Sequence, residues 1–372
     1  MNITTVALLI AGIAGLVIGA EALIRGAARL AARTGLSSVV IGLTVVAFGT
    51  SAPELAVSIG DVVRGDDEAG SIAIGNVVGS NIANILLALG VAAAVGGSLI
   101  VAQRIVRLDV PIMIGASVLV LIFALNNQLG RLEGAVLTAA LVTYITWTVV
   151  SARRGTAPQV ESEYDEAFDS EQLAAKSVWS DVGFLLLGLG LLVAGSQALV
   201  SAATDIATEL GVSDLVIGLT VVAIGTSLPE VATSVMAALR GHRDLAVGNA
   251  IGSNLFNLLA VLGITSLIAP NPLPIADSAL QVDIPIMVAV AVACLPIFAN
   301  GHVLTRWEGF IFIGFYAGYL LWLILDASDS GVRDSYGNVA LFFIAPLVTL
   351  TLAIVAFRSR QAPAAENAQT ST

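Results

Sequence analysis

The sequence predicts an all-α polytopic membrane protein: two inverted five-helix repeats followed by one additional C-terminal transmembrane helix. Three observations point there. Of 372 residues, 57% are hydrophobic and only 12% charged, a balance that excludes an ordinary soluble domain. Apolar windows long enough to cross a bilayer recur along nearly the whole chain. A thirteen-residue motif is written twice, GLTVVAFGTSAPE at 42–54 and GLTVVAIGTSLPE at 218–230, with eleven positions identical.

A hydrocarbon core of roughly 30 Å needs about 20 apolar helical residues. Eleven spans meet that need, at about 4–25, 37–62, 70–97, 108–126, 132–151, 180–203, 213–238, 246–269, 280–299, 306–326 and 337–357. The first lacks a basic segment before it and continues into helical sequence, so it reads as a retained helix and not a cleaved leader. Alternate loops hold thirteen and three of the sixteen basic residues. Basic loops stay cytoplasmic, which predicts a multi-pass cell-membrane protein with its N-terminus outside and its C-terminus in the cytoplasm.

Further segments recur at offsets of 173–176: GAEAL at 19 with GSQAL at 195, GNVVGSNIAN at 75 with GNAIGSNLFN at 248, DVPIM at 109 with DIPIM at 283, RLEG at 131 with RWEG at 306. The first repeat is 1–152 and the second 177–326. Residues 153–176, with EYDEAFDSE, form an acidic cytoplasmic linker, and 327–372 hold the extra helix and a polar tail. An odd number of spans per repeat turns the second copy over, so matching motifs enter from opposite faces and meet at mid-depth, as alternating access requires.

Glu54 and Glu230 fall within apolar spans, where a lone acid costs roughly 3 kcal/mol or more. Their stretches contain no Lys or Arg, so a cation, a proton or water must compensate them. Thr50 and Ser51 stand four and three residues before Glu54, and Thr226 and Ser227 repeat this before Glu230, which puts hydroxyls on the carboxylate face. Pro53 and Pro229 should free backbone carbonyls near Gly49 and Gly225. Ser80 and Asn84, then Ser253 and Asn257, lie four apart on one face. These oxygens suit Ca²⁺ or Na⁺ and disfavour metals that seek imidazole or thiolate. Asp109 and Asp283, each two residues before a proline, read as helix starts. Arg131, Glu133, Arg306 and Glu308 sit at span ends, as anchors do.

With the doubled GTSxPE and GNxxGSN segments, the chain resembles the calcium/cation antiporter superfamily, closest to prokaryotic sodium/calcium exchangers, over roughly residues 1–326. The resemblance implies several Na⁺ exchanged for one Ca²⁺. It implies that Glu54 and Glu230 are shared ligands, that Thr50 and Thr226 serve Ca²⁺, and that Ala47 and Ala223 offer carbonyls. Ser51, Ser80, Ser227 and Ser253 would line Na⁺ sites, and Asn84 and Asn257 would complete the centre. Potassium-dependent relatives carry Asp where this chain has Asn257, which argues against K⁺ co-transport. Proton-driven relatives usually add an acid in the segment where Val78, Gly79, Ile251 and Gly252 stand here, which favours Na⁺ coupling.

Proton/calcium antiport is the alternative of the same class, and a cation channel that of another. A channel needs a symmetric assembly, whereas one chain supplies both halves here and a monomer is the expected functional unit. The lone Cys294 and the loop histidines His242 and His302 leave no thiolate or imidazole centre, and no enzyme activity or cofactor is expected. There is no basic patch for nucleic acid. The expected partners are Ca²⁺, Na⁺ and the lipid bilayer.

Overall fold

The computed structural model describes residues 3–64, 70–154, 178–212, 217, 220–221, 223–327 and 343–354. The predicted acidic linker and polar tail lie outside the described residues. The fold is nearly all helical. Helices α1 (Ile3–Thr34), α2 (Ser38–Val63), α3 (Ile72–Gly96), α4 (Ile105–Ala124), α5 (Arg131–Ala152) and α6 (Val178–Glu209) are each long and apolar enough to cross a membrane. So are α8 (Arg243–Ile268), α9 (Ala279–Ala299) and α10 (Arg306–Leu325), nine in all among the described residues. The seventh and eleventh expected spans are shorter where described, α7 as Ala223–Leu239 and α11 as Ala345–Ile354. Phe343, just before α11, sets its ring 5.4 Å from Phe315 and 6.4 Å from Tyr319 on α10.

Helices α3 and α8 are the centre: 83% of the residues in their apolar windows are buried, against 28% for α1, α6 and α10. Both contain the GNxxGSN segments, whose small residues let backbones approach closely. On the periphery α1 and α6 run antiparallel. A Cβ on Gly12 would lie 2.9 Å from the Gly195 carbonyl oxygen, one on Gly19 2.9 Å from that of Gly188, and one on Gly26 2.9 Å from that of Asp181. Dispersion at such approach substitutes for the hydrophobic drive that lipid does not supply. Buried Asp181 takes Arg33 at 2.5 Å, and Thr5 meets Asp205 at 3.1 Å near the other end of the pair.

Four two-residue strands depart from the expected all-α content. β1 (Leu99–Ile100), before α4, pairs antiparallel with β4 (Val303–Leu304), after α9. β2 (Gln128–Leu129), after α4, pairs with β3 (Leu273–Pro274), before α9. Asn127 and His302 turn these corners at φ of 59° and 53°. Other contacts also come in exchanged pairs. Gly90 packs on Gly309 while Gly134 packs on Gly263; Arg131 donates to the Ala269 carbonyl while Arg306 donates to that of Ala94.

Candidate ion-binding site

Four helices, α2, α3, α7 and α8, carry the polar residues at the centre. The first GTSxPE segment breaks its helix: Ser51 takes φ −84° and ψ 1° between Ala47–Thr50 and Ala52–Arg64. The second continues through Pro229 within α7. The carbonyl that Pro229 leaves without an amide donor, that of Gly225, accepts the Ser196 hydroxyl. Ser196, on α6, thereby takes one of this oxygen's two lone pairs. The Ala47 carbonyl accepts the Ser51 amide at 3.0 Å and lies 3.4 Å from the Thr50 hydroxyl.

Glu54 and Glu230 are fully buried, and none of their four carboxylate oxygens has a hydrogen-bond partner. Ser80 is a hydroxyl neighbour of Glu54, and Thr50 and Ser51 are hydroxyl neighbours of Glu230. Ser51 Oγ, Ser227 Oγ, Asn84 Oδ1 and both amide atoms of Asn257 are likewise buried without partners. Native interiors rarely tolerate one such group, and an unpaired buried carboxylate is among the costliest. The unpartnered atoms of Ser51, Glu54, Asn84, Ser227, Glu230 and Asn257 all lie on the four central helices. Among the described residues no group of three or more His, Cys, Asp and Glu is placed to hold a metal, and the unpartnered atoms of Ser51, Ser227, Asn84 and Asn257 are neutral oxygens and an amide nitrogen.

Hydroxyl contacts knit the four helices. Thr50 meets Ser253 at 3.2 Å, and Ser80 meets Thr226 at 3.4 Å. Asn84 and Asn257 each begin a π-helical turn, Asn84–Leu89 and Asn257–Val261, a local widening frequent at functional positions. Ala223 opens α7.

Sequence reasoning passed over several residues here. Asn81 and Asn254 each donate to the other's backbone carbonyl, at 3.5 and 3.2 Å, and each reaches a methionine sulfur across the bundle, Met287 or Met113. Asn254 Oδ1 also accepts from Asn84 at 3.0 Å. Thr233, one turn past Glu230, is buried with an unpartnered hydroxyl. The duplication of Asn81 and Asn254 inside a quoted motif was the signal available; Thr233 aligns with Val57 and carried none. Asp109 and Asp283 are not side-chain caps. They stand at the N-caps of Val110–Ala124 and Ile284–Ala299, as the helix-start reading expects, while their carboxylates accept the hydroxyls of Tyr144 and Tyr319, both at 3.0 Å, 35 and 36 residues on.

Two cavities reach these helices from the face where α2 ends and α3 begins. One, about 400 Å³, lies between Pro53, Ser196, Gln197, Thr226 and Pro229. The other, about 370 Å³, is bounded by Gly75, Asn76, Ser80, Thr226, Asp283 and Tyr319. The opposite face is shut there: Gly248 and Gly252 press against Val39, Leu43 and Ala47, and a Cβ on either glycine would lie 3.0 Å or less from α2 atoms. Their counterparts Gly75 and Gly79 have no such neighbour within 4 Å among the described residues.

The sequence profile of the sodium/calcium exchanger protein family matches residues 4–150 and 180–325. This chain belongs to the sodium/calcium exchanger family. Sodium/calcium exchanger MaX1 of Methanosarcina acetivorans is 34% identical over 322 residues, 78% of this chain and 90% of the relative. Inner membrane protein YrbG of Escherichia coli K12 is 35% identical over 297 residues, 78% and 87% of the two chains. Among solved structures, the sodium-calcium exchanger NCX_Mj soaked with zero Na⁺ and Ca²⁺ superposes with a TM-score of 0.71 at 29% identity, covering 87% of this chain and all of that one. As a member of this family the chain is a multi-pass membrane exchanger and not one of an enzyme family.

Proposed function

We propose that this family member exchanges Na⁺ for Ca²⁺ by alternating access, with Glu54 and Glu230 as the ligands common to both ions. The observation that carries the reading is the pair of fully buried carboxylates with no cationic side chain beside them and no hydrogen bond of good geometry to any of their four oxygens among the described residues. One Ca²⁺ or two Na⁺ would balance two ionised glutamates. The neutral oxygens of Thr50, Thr226, Ser51, Ser227, Ser80, Ser253, Asn84 and Asn257, with the carbonyls of Ala47 and Ala223, would complete the coordination that hard cations favour. The names of MaX1 and NCX_Mj support the ion pair.

The functional unit is a monomer of two inverted repeats, 1–152 and 177–326, joined by a cytoplasmic linker at 153–176 and followed by an accessory segment at 327–372. The exchanged contact pairs support the inversion. The thirteen-to-three distribution of basic residues supports an external N-terminus, and the accessible face is then the external one. The test is ⁴⁵Ca²⁺ uptake into proteoliposomes. A Na⁺ gradient should drive it and an imposed pH gradient alone should not; the reverse result would establish proton/calcium antiport instead.

A further inference from the structure

We propose that Asn254 is a positioning residue for ion binding: it sets the carboxamide of Asn84 so that the oxygen of that amide, and not its NH₂, faces the cation. The inference rests on the reading of Asn84 as part of the ion site. It begins from the side chain itself. A carboxamide has two ends of similar shape and opposite polarity, one an acceptor and the other a donor. Turned one way it offers a cation a ligand oxygen, and turned the other way it offers hydrogens that repel the charge. In a buried site a neighbouring group has to decide between the two.

The decision is traceable to a group that cannot turn. The backbone carbonyl of Asn81 accepts Asn254 Nδ2 at 3.2 Å, and the Met113 sulfur lies 3.5 Å from the same nitrogen. A backbone carbonyl only accepts, so Asn254 must keep its NH₂ there and its Oδ1 away. That oxygen accepts Asn84 Nδ2 at 3.0 Å. All three asparagines are buried, and reversing either amide would set oxygen against oxygen where an unmade hydrogen bond is expensive. Asn84 Oδ1 is thereby left pointing away from Asn254, without a partner among the described residues. It stands on the helix face of Ser80, four residues before it, and Ser80 is a hydroxyl neighbour of Glu54.

The other copy of the motif lacks this arrangement. Asn81 holds the place of Asn254, and Asn257 that of Asn84, yet Asn81 Oδ1 and both amide atoms of Asn257 are buried without partners among the described residues. The motif alone does not make the bond. In this conformation one asparagine of the pair is preset as an oxygen ligand and its counterpart is not.

The test is equilibrium binding of ⁴⁵Ca²⁺ and ²²Na⁺ to the purified protein in detergent. Asn84→Ala identifies the ion concerned: it should raise the half-saturating concentration of one or both about tenfold. Asn254→Leu, close in volume and unable to bond, should raise the same value by a similar factor, at the lower end of the roughly 10–100-fold that outer-shell partners of metal ligands contribute. Because Asn254 acts through Asn84, adding Asn254→Leu to Asn84→Ala should change the value by less than about twofold. Asn254→Ala, which removes the amide without adding bulk, should show the same coupling and serves if the leucine variant does not fold. Unshifted binding in the Asn254 variants, or shifts that multiply in the double variant as those of a general packing defect do, would overturn the inference. Glu54→Gln is the companion: binding lost there but unshifted in the Asn254 variants sinks the positioning role alone, whereas normal binding in Glu54→Gln or Asn84→Ala removes the ion site on which it rests.

Discussion

The two ends of the bundle are built from matching residues and yet differ in access. On one side Gly248 and Gly252 of α8 lie against the backbone of α2, and Thr50 and Asn249 are buried. On the other, the equivalent Gly75 of α3 is exposed and Gly79 half-buried, an added Cβ on either meeting nothing within 4 Å among the described residues, and Thr226 and Asn76 are half-buried beside cavities. The same small residues thus serve as a closed seam in one copy and an open cleft in the other. Closure is then a property of the conformation and not of the motif, and a protein whose copies exchanged these roles would present its centre to the opposite face.

The largest effect should leave that difference untouched. Glu54 and Glu230 are equally buried and equally without donors, so Glu54→Gln and Glu230→Gln should each lower Na⁺-driven Ca²⁺ flux by about a hundredfold or more, given that even outer-shell partners of bound metals are worth 10–100-fold. Near-normal flux in either variant would dismantle the shared site. Next, in a Cys294→Ala background, Thr226→Cys should react with a water-soluble thiol reagent at least about tenfold faster than Thr50→Cys. Equal rates would show that the two ends are alike in solution.

Smaller effects sharpen the contrast. A methyl on Gly252 would sit 2.7 Å from Ala47 Cβ and 2.8 Å from Leu43 Cα, so Gly252→Ala should destabilise the protein by about 1–3 kcal/mol in thermal unfolding. Gly79→Ala meets no described atom within 4 Å and should stay within about 0.5 kcal/mol, while slowing exchange if its surface must close during the cycle. Matching losses of stability would mean that both seams are packed. The smallest change belongs to the exposed pair of Glu21 with Arg240, 2.8 Å apart on the closed side: Glu21→Gln should cost less than about 1 kcal/mol, and a larger loss would make that pair part of the seal.

Much of this was legible in the sequence because it rests on composition and duplication. The spans follow from apolar run length, and Glu54 and Glu230 stand out because nothing in their stretches could neutralise them. Asn81 and Asn254 were visible inside the repeated segment but not interpretable, since their bonds run between helices from opposite halves. The Asp109–Tyr144 and Asp283–Tyr319 bonds were hidden for a like reason: periodicity speaks for one helix, and these join two. The break at Ser51, present in one copy of a nearly identical motif and not the other, has no sequence signature. Within the thirteen-residue motif the copies differ only at Phe48/Ile224 and Ala52/Leu228, and neither exchange adds a glycine or proline.

The paired strands carry a consequence for biosynthesis. β1 and β2 bracket α4, β3 and β4 bracket α9, and each ladder joins one half of the chain to the other. While the ribosome has delivered only the first half, Leu99–Ile100 and Gln128–Leu129 have no strand to pair with, and Glu54 lacks the helices that close its surroundings. Insertion can proceed span by span, but the hoop around α4 and α9 closes only when Val303 and Leu304 emerge. A chain truncated before that point would lack the ladder between Leu99–Ile100 and Val303–Leu304.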